Sequence, residues 1–92
     1  MIMATNETYK KLKELLDQEK YPKPYVFKFI IKTDENKENE IRKCFSKTAE
    51  ITLNHSKTKK YTTVNILQTM ISSEAIIEKY LLVSKIENVI HI

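Results

Sequence analysis

His55 and Ser56 are the two side chains in this sequence best suited to base-assisted nucleophilic attack. That chemistry needs an imidazole within hydrogen-bond reach of the hydroxyl, and donors facing the oxyanion. The pair sits at the end of "AEITLNH", which alternates like a strand, so the two side chains point to opposite faces. No glycine-built oxyanion turn accompanies them, because the chain has no glycine at all. They read as the polar end of a hairpin. Cys44, His55 and His91 show no paired spacing of the kind metal ligands keep, so no metal site is expected. Cys44 shares a stripe with Ile41 and Phe45, which makes it a small core residue rather than a reactive thiol. Asp34, Glu35, Glu38 and Glu40 read as a helix start, where carboxylates suit the dipole, and not as an acid–base pair. The lack of glycine also excludes Gly-rich phosphate loops and dinucleotide fingerprints. These residues give no catalytic, cofactor-binding or metal site, and a non-enzymatic protein is expected.

Basic residues offer the other candidate chemistry. Of a net charge of +4, Lys57, Lys59 and Lys60 supply +3 within one turn. A nucleic-acid binder spreads its cations over a face that follows several phosphates. One lysine-tipped hairpin is a narrow footprint, so nucleic-acid binding through Lys57, Lys59 and Lys60 is the second reading only. RNA recognition motifs share the element order found below and place stacking aromatics on the two central strands. Here "TKKYTTVNI" supplies Tyr61 alone, with Thr63 where a second ring belongs.

The elements that position these residues follow from periodicity. A first helix, capped by Thr5 or Asn6, runs to about Gln18 with Tyr9, Leu12, Leu15 and Leu16 on one stripe. Pro22 and Pro24 hold "YPKP" extended. In "YVFKFIIK", 25–32, Tyr25, Phe27, Phe29 and Ile31 share one face, against Val26, Lys28, Ile30 and Lys32. A second helix opens at Asp34 and closes with Arg42, Lys43 and Lys47, burying Ile41, Cys44 and Phe45. Strands at 48–55 and "YTTVNILQ", 61–68, flank the "SKTKK" turn as a hairpin. The second of them turns Thr62, Val64 and Ile66 one way and Tyr61, Thr63 and Asn65 the other. Ser72 or Ser73 caps a last helix to about Ser84, with Ile76, Ile77, Tyr80 and Val83 inward. A terminal strand occupies 86–92.

The order after the first helix is βαββαβ. Right-handed crossovers place the first and third strands centrally in a four-stranded antiparallel sheet with both long helices on one face. The expected fold is therefore α+β: a ferredoxin-like two-layer sandwich in a single domain, 1–92, with an N-terminal helical extension over 1–20. Its core is expected from Phe27, Phe29, Ile41, Phe45, Val64, Ile66, Ile77 and Tyr80. Lys28, Ile30, Tyr61, Thr63 and Asn65 fall on the open sheet face and form the candidate interaction surface. The alternative expectation is that the first helix folds back across that face. Edge strands 48–55 and 86–92 offer backbone pairing to a second chain.

At 92 residues, 41% hydrophobic and 30% charged, the chain has the composition of an ordinary globular domain. The absence of a leader or spanning segment and the single cysteine point to the cytoplasm, with no membrane role. The residues resemble the YbeD-like family of small bacterial proteins, also called domain of unknown function 493, over about Leu15 to Ile92. The likeness rests on Tyr21-Pro22, Tyr25, Phe27-Lys28 and Ile30, then Ser56, Tyr61, Thr63-Val64 and Ile66, and finally Tyr80, Ile86 and Val89. In that family the hairpin commonly reads Ser-Lys-Gly-Lys-Tyr or similar, and Lys59 stands here at the glycine. The resemblance implies a ferredoxin-like fold similar to ACT-type regulatory domains, and it supplies no reaction and no catalytic residues. The expectation is a regulatory or interaction module that binds a protein partner or a small-molecule ligand and homodimerises.

Overall fold

The computed structural model describes residues 6–91, with side chains from Tyr9 to Ile90. The elements run α1 (Asn6–Leu16), β1 (Lys23–Lys32), α2 (Glu35–Arg42), β2 (Glu50–His55), β3 (Tyr61–Met70), α3 (Ser73–Ser84) and β4 (Ile90–His91). The fold is α+β. Three long strands form an antiparallel sheet in the order β2-β3-β1, and the two residues of β4 pair with the free edge of β1. Tyr21–Pro22 is a cis peptide, and β1 starts directly after it.

The alternation of β1 and β3 fixes which face is buried. Phe27, Phe29 and Ile31 meet Ile66, Val64 and Thr62 across the register, and all six are shut off from solvent. Ile41, Phe45, Ile76, Tyr80, Val83 and Val89 close the core from the other side. Phe27 lies at the centre of an aromatic cluster, with ring centroids 4.7 Å from Tyr25, 5.0 Å from Phe45 and 5.2 Å from Tyr80. Burying each such ring contributes about 1.5–3 kcal/mol.

Several boundaries differ from the sequence reading. α1 ends at Leu16 rather than Gln18, and β3 continues to Met70, whose side chain is buried. α2 ends at Arg42, so Lys47 does not close it and Cys44 and Phe45 lie beyond the helix. The amides of Cys44 and Phe45 donate to the carbonyls of Ile41 and Arg42, a tightened turn that brings the Phe45 ring into the core. β2 starts at Glu50. The terminal strand is short because Ile86 lies in the turn just after α3, its amide donating to the Val83 carbonyl, and Asn88 takes a left-handed φ of 62°. Among the described residues Ile90 and His91 pair, with Ile30 and Phe29. Within α3, Ile76 is fully buried while Ile77 is only partly so. In α1, Leu16 is buried and Leu15 is 64% exposed, so Leu15 does not belong to the inward stripe.

The placement of α1 matters most for function. It lies beside α3 on the helical layer and does not cross the open face of the sheet. Lys13 pairs with Asp17 at 3.0 Å and with Glu74 at 3.2 Å. The Ser73 hydroxyl donates to the Asp17 carboxylate. The Tyr21 hydroxyl donates to the Leu16 carbonyl at 2.8 Å and pins the end of the helix. The Thr5 or Asn6 cap expected for α1 lies outside the described side chains. α2 and α3 are capped by Asp34 and Ser72, which accept from the amides of Asn36 and Ala75.

Candidate interaction face

The hairpin end holds the residues that sequence inspection singles out for chemistry. His55 and Thr62 are cross-strand partners, and His55 Nδ1 lies 2.9 Å from Thr62 Oγ1. Thr62 Oγ1 also meets Thr33 Oγ1 at 2.8 Å, so the one threonine buried on the inner face is satisfied from both sides. Ser56 serves the turn: its Oγ accepts from the Tyr61 amide, its amide donates to Tyr61 O, and its carbonyl accepts from Lys59. His55 and Ser56 are therefore each engaged elsewhere and not with each other. Residues 56–60 are exposed throughout, and Lys59 sits at φ 59° in the left-handed region.

Cys44 is partly buried. Its Sγ donates to the Glu40 carbonyl at 3.6 Å, and its own carbonyl accepts from Lys79 Nζ at 2.7 Å. Desolvation pushes the thiol pKa up, against a smaller opposing effect of Lys79, which leaves it a poor nucleophile at neutral pH. Desolvation likewise raises the Tyr80 phenol, whose oxygen lies 2.8 Å from Tyr25 Oη. Among the described residues no three His, Cys, Asp or Glu side chains are placed to share an ion. The His91 side chain lies outside the described residues.

The open sheet face is built by the other half of the alternation. Register sets Lys28 beside Asn65 and Thr52, and Ile30 beside Thr63 and Asn54. Ile30 also faces Ile90, and Lys32 faces Tyr61. The candidate surface Lys28, Ile30, Tyr61, Thr63 and Asn65 is thus brought together on one face. Sequence reasoning missed Leu67, which continues the same alternation and pairs with Val26. Val26, Tyr61 and Leu67 are 47%, 45% and 37% exposed, large apolar groups on a face that no described element covers.

The face has two ends of different character. At the Leu67 end an open hollow of about 530 Å³ is lined by Pro24, Ser46, Thr48, Glu50, Leu67, Gln68 and Thr69. Its polar groups satisfy one another: the Ser46 amide donates to Gln68 Oε1 at 3.0 Å, and the Ser46 and Thr48 hydroxyls meet at 2.8 Å. At the hairpin end the lysines dominate. Among the described residues no carboxylate lies within 4 Å of Lys32, Lys57, Lys59 or Lys60.

No helix of the described residues is long and apolar enough to cross a membrane. No curated protein and no solved structure matches the chain. A family model, described as "Protein of unknown function (DUF493)", matches residues 17–92. The match takes in every strand and both later helices and begins directly after α1. With most of its length matched by that model, the chain belongs to the DUF493 family.

Proposed function

We infer that this chain is a non-enzymatic interaction module of ferredoxin-like plan, acting in the cytoplasm through the open face of its sheet. One observation carries the reading. α1 is spent on the helical layer, clasped by Lys13, Asp17, Ser73 and Glu74, so Val26, Leu67 and Tyr61 stay exposed among the described residues. Exposed apolar residues scattered singly need no explanation, but Val26 and Leu67 are direct cross-strand neighbours on a flat strand surface. The other exposed large apolar residues among those described are Leu15, Ile71 and, on α3, Leu81 and Leu82, which Glu78 and Lys85 border. The order β2-β3-β1 with β4 on the far edge supports the ferredoxin-like description. A symmetric dimer is the simplest partner for such a face, since one apolar patch then covers its copy. Regulation of a partner by a bound ligand fits the same surface.

The test is sedimentation velocity from micromolar to millimolar protein, on the natural chain and on a Val26→Glu/Leu67→Glu variant. The natural chain should self-associate, and the paired charges should abolish the association without changing the circular dichroism. Association that survives both charges would place the interface elsewhere.

A further inference from the structure

We propose that the hairpin end of the open face is a binding site for a small planar organophosphate, an aromatic ring bearing one phosphate group. The proposal rests on the reading of that face as the functional surface and adds the chemistry it recognises. Two hollows, of about 200 and 260 Å³, adjoin there and share Lys32 and Tyr61. Lys60 completes the first, while Ile30, Ile90 and Asn88 help line the second. Lys32 and Tyr61 are cross-strand partners, as are Ile30 and Ile90, so the strands themselves set cation, ring and aliphatic wall side by side. Tyr61 is 45% exposed, which leaves its ring open to stacking.

Charge complementarity chooses the occupant. Lys32 and Lys60 line one hollow without a carboxylate within 4 Å among the described residues. Asp34, the nearest acid along the chain, caps α2 by accepting from the Asn36 amide. Two ammonium groups suit a doubly charged phosphate, which lysine binds as a point charge without the planar fork that arginine offers a carboxylate. The apolar wall of Ile30 and Ile90 beside Tyr61 then takes a flat ring. A nucleic-acid strand would need successive stacking rings, and the face supplies Tyr61 alone, with Thr63 next along β3. A free small molecule is the occupant that fits.

The test titrates 1-naphthyl phosphate into the purified full chain and follows backbone amide resonances. Saturable shifts should centre on residues 30–33, 60–62 and 88–90. Lys32→Gln and Lys60→Gln should each weaken binding about tenfold, the loss of one charge-assisted contact. Tyr61→Leu, which keeps apolar bulk but removes the ring, should weaken it as well. Lys47→Gln, remote from the hollow, should not. Naphthalene-1-methanol and inorganic phosphate, each carrying half the recognition, should bind at least tenfold more weakly than the combined probe. No saturable shift up to millimolar probe, or equal binding by the lysine variants, would overturn the proposal. So would an octathymidylate strand binding more tightly than the probe, with shifts spread along β1 and β3. Failure here with self-association still abolished by Val26→Glu/Leu67→Glu would remove the ligand and leave the interaction face standing.

Discussion

Replacing Lys59 by glycine should stabilise this protein, although it removes a whole side chain. Lys59 sits at φ 59°, where the Cβ of an L-residue crowds its own carbonyl. That crowding costs about 1–2 kcal/mol, and glycine escapes it. Against this, glycine gains about 0.5–1 kcal/mol of conformational freedom in the unfolded chain. The net gain expected is about 0.5–1 kcal/mol. Unfolding entropy is about 2.1 cal/mol/K per residue near 60 °C, hence about 0.2 kcal/mol/K for 92 residues. The melting temperature should therefore rise by roughly 3–5 °C, measured by calorimetry or far-UV circular dichroism. Lys59→Ala separates backbone from charge. It keeps the Cβ and removes the repulsion from Lys57 and Lys60, so it should change the melting temperature little. A rise with alanine equal to that with glycine would show that charge, not φ, governs the turn, and would refute the reasoning.

Three further outcomes probe the core and the α1 clasp. Phe29→Ala, at a fully buried site within 6.1 Å of the Tyr80 ring, should cost about 3–5 kcal/mol in denaturant unfolding. Ile76→Ala should cost about 2–5 kcal/mol and Ile77→Ala clearly less, since only Ile76 is fully buried; the reverse order would rotate α3 about its axis. The hydrogen bond from Ser73, then that from Lys13, lowers the Asp17 pKa, and the Glu74 pKa is lowered by its own backbone amide, then by Lys13. Groups with depressed folded values stabilise above their unfolded pKa values, about 4, and lose that stability as pH falls through the folded ones. Asp17→Asn should therefore flatten the acid limb of the stability–pH curve; an unchanged limb would mean that the clasp contributes nothing.

Much of this fold was readable because period-two alternation in β1 and β3 is strict. Phe27, Phe29 and Ile31 opposite Lys28 and Ile30 leave one arrangement that buries the rings. The candidate face follows from the same alternation, and Leu67, within the expected strand 61–68, is its next step after Asn65. What could not be read were the places where tertiary packing overrides local pattern. Phe45 enters the core from a turn after α2, which a helical stripe through Lys47 cannot anticipate. β4 shrinks because Asn88 turns the chain, and no local pattern separates that from a longer strand in "IENVIHI". The side of the sheet on which α1 lies depended on Lys13, Asp17, Ser73 and Glu74, residues up to 61 positions apart that meet only in the folded chain. His55 reads as the polar end of a hairpin, and only the folded chain shows that its partner is a buried threonine.

Photocrosslinking in a native cell lysate tests the claim about the open face most directly. A benzoylphenylalanine in place of Val26, on the open face, is compared with one in place of Leu82, on the outer surface of α3; both positions are exposed to similar degrees. Irradiation should give a discrete adduct from position 26 and none from position 82. A discrete adduct from position 82 with none from position 26 would contradict the account and move the interaction surface to the helices.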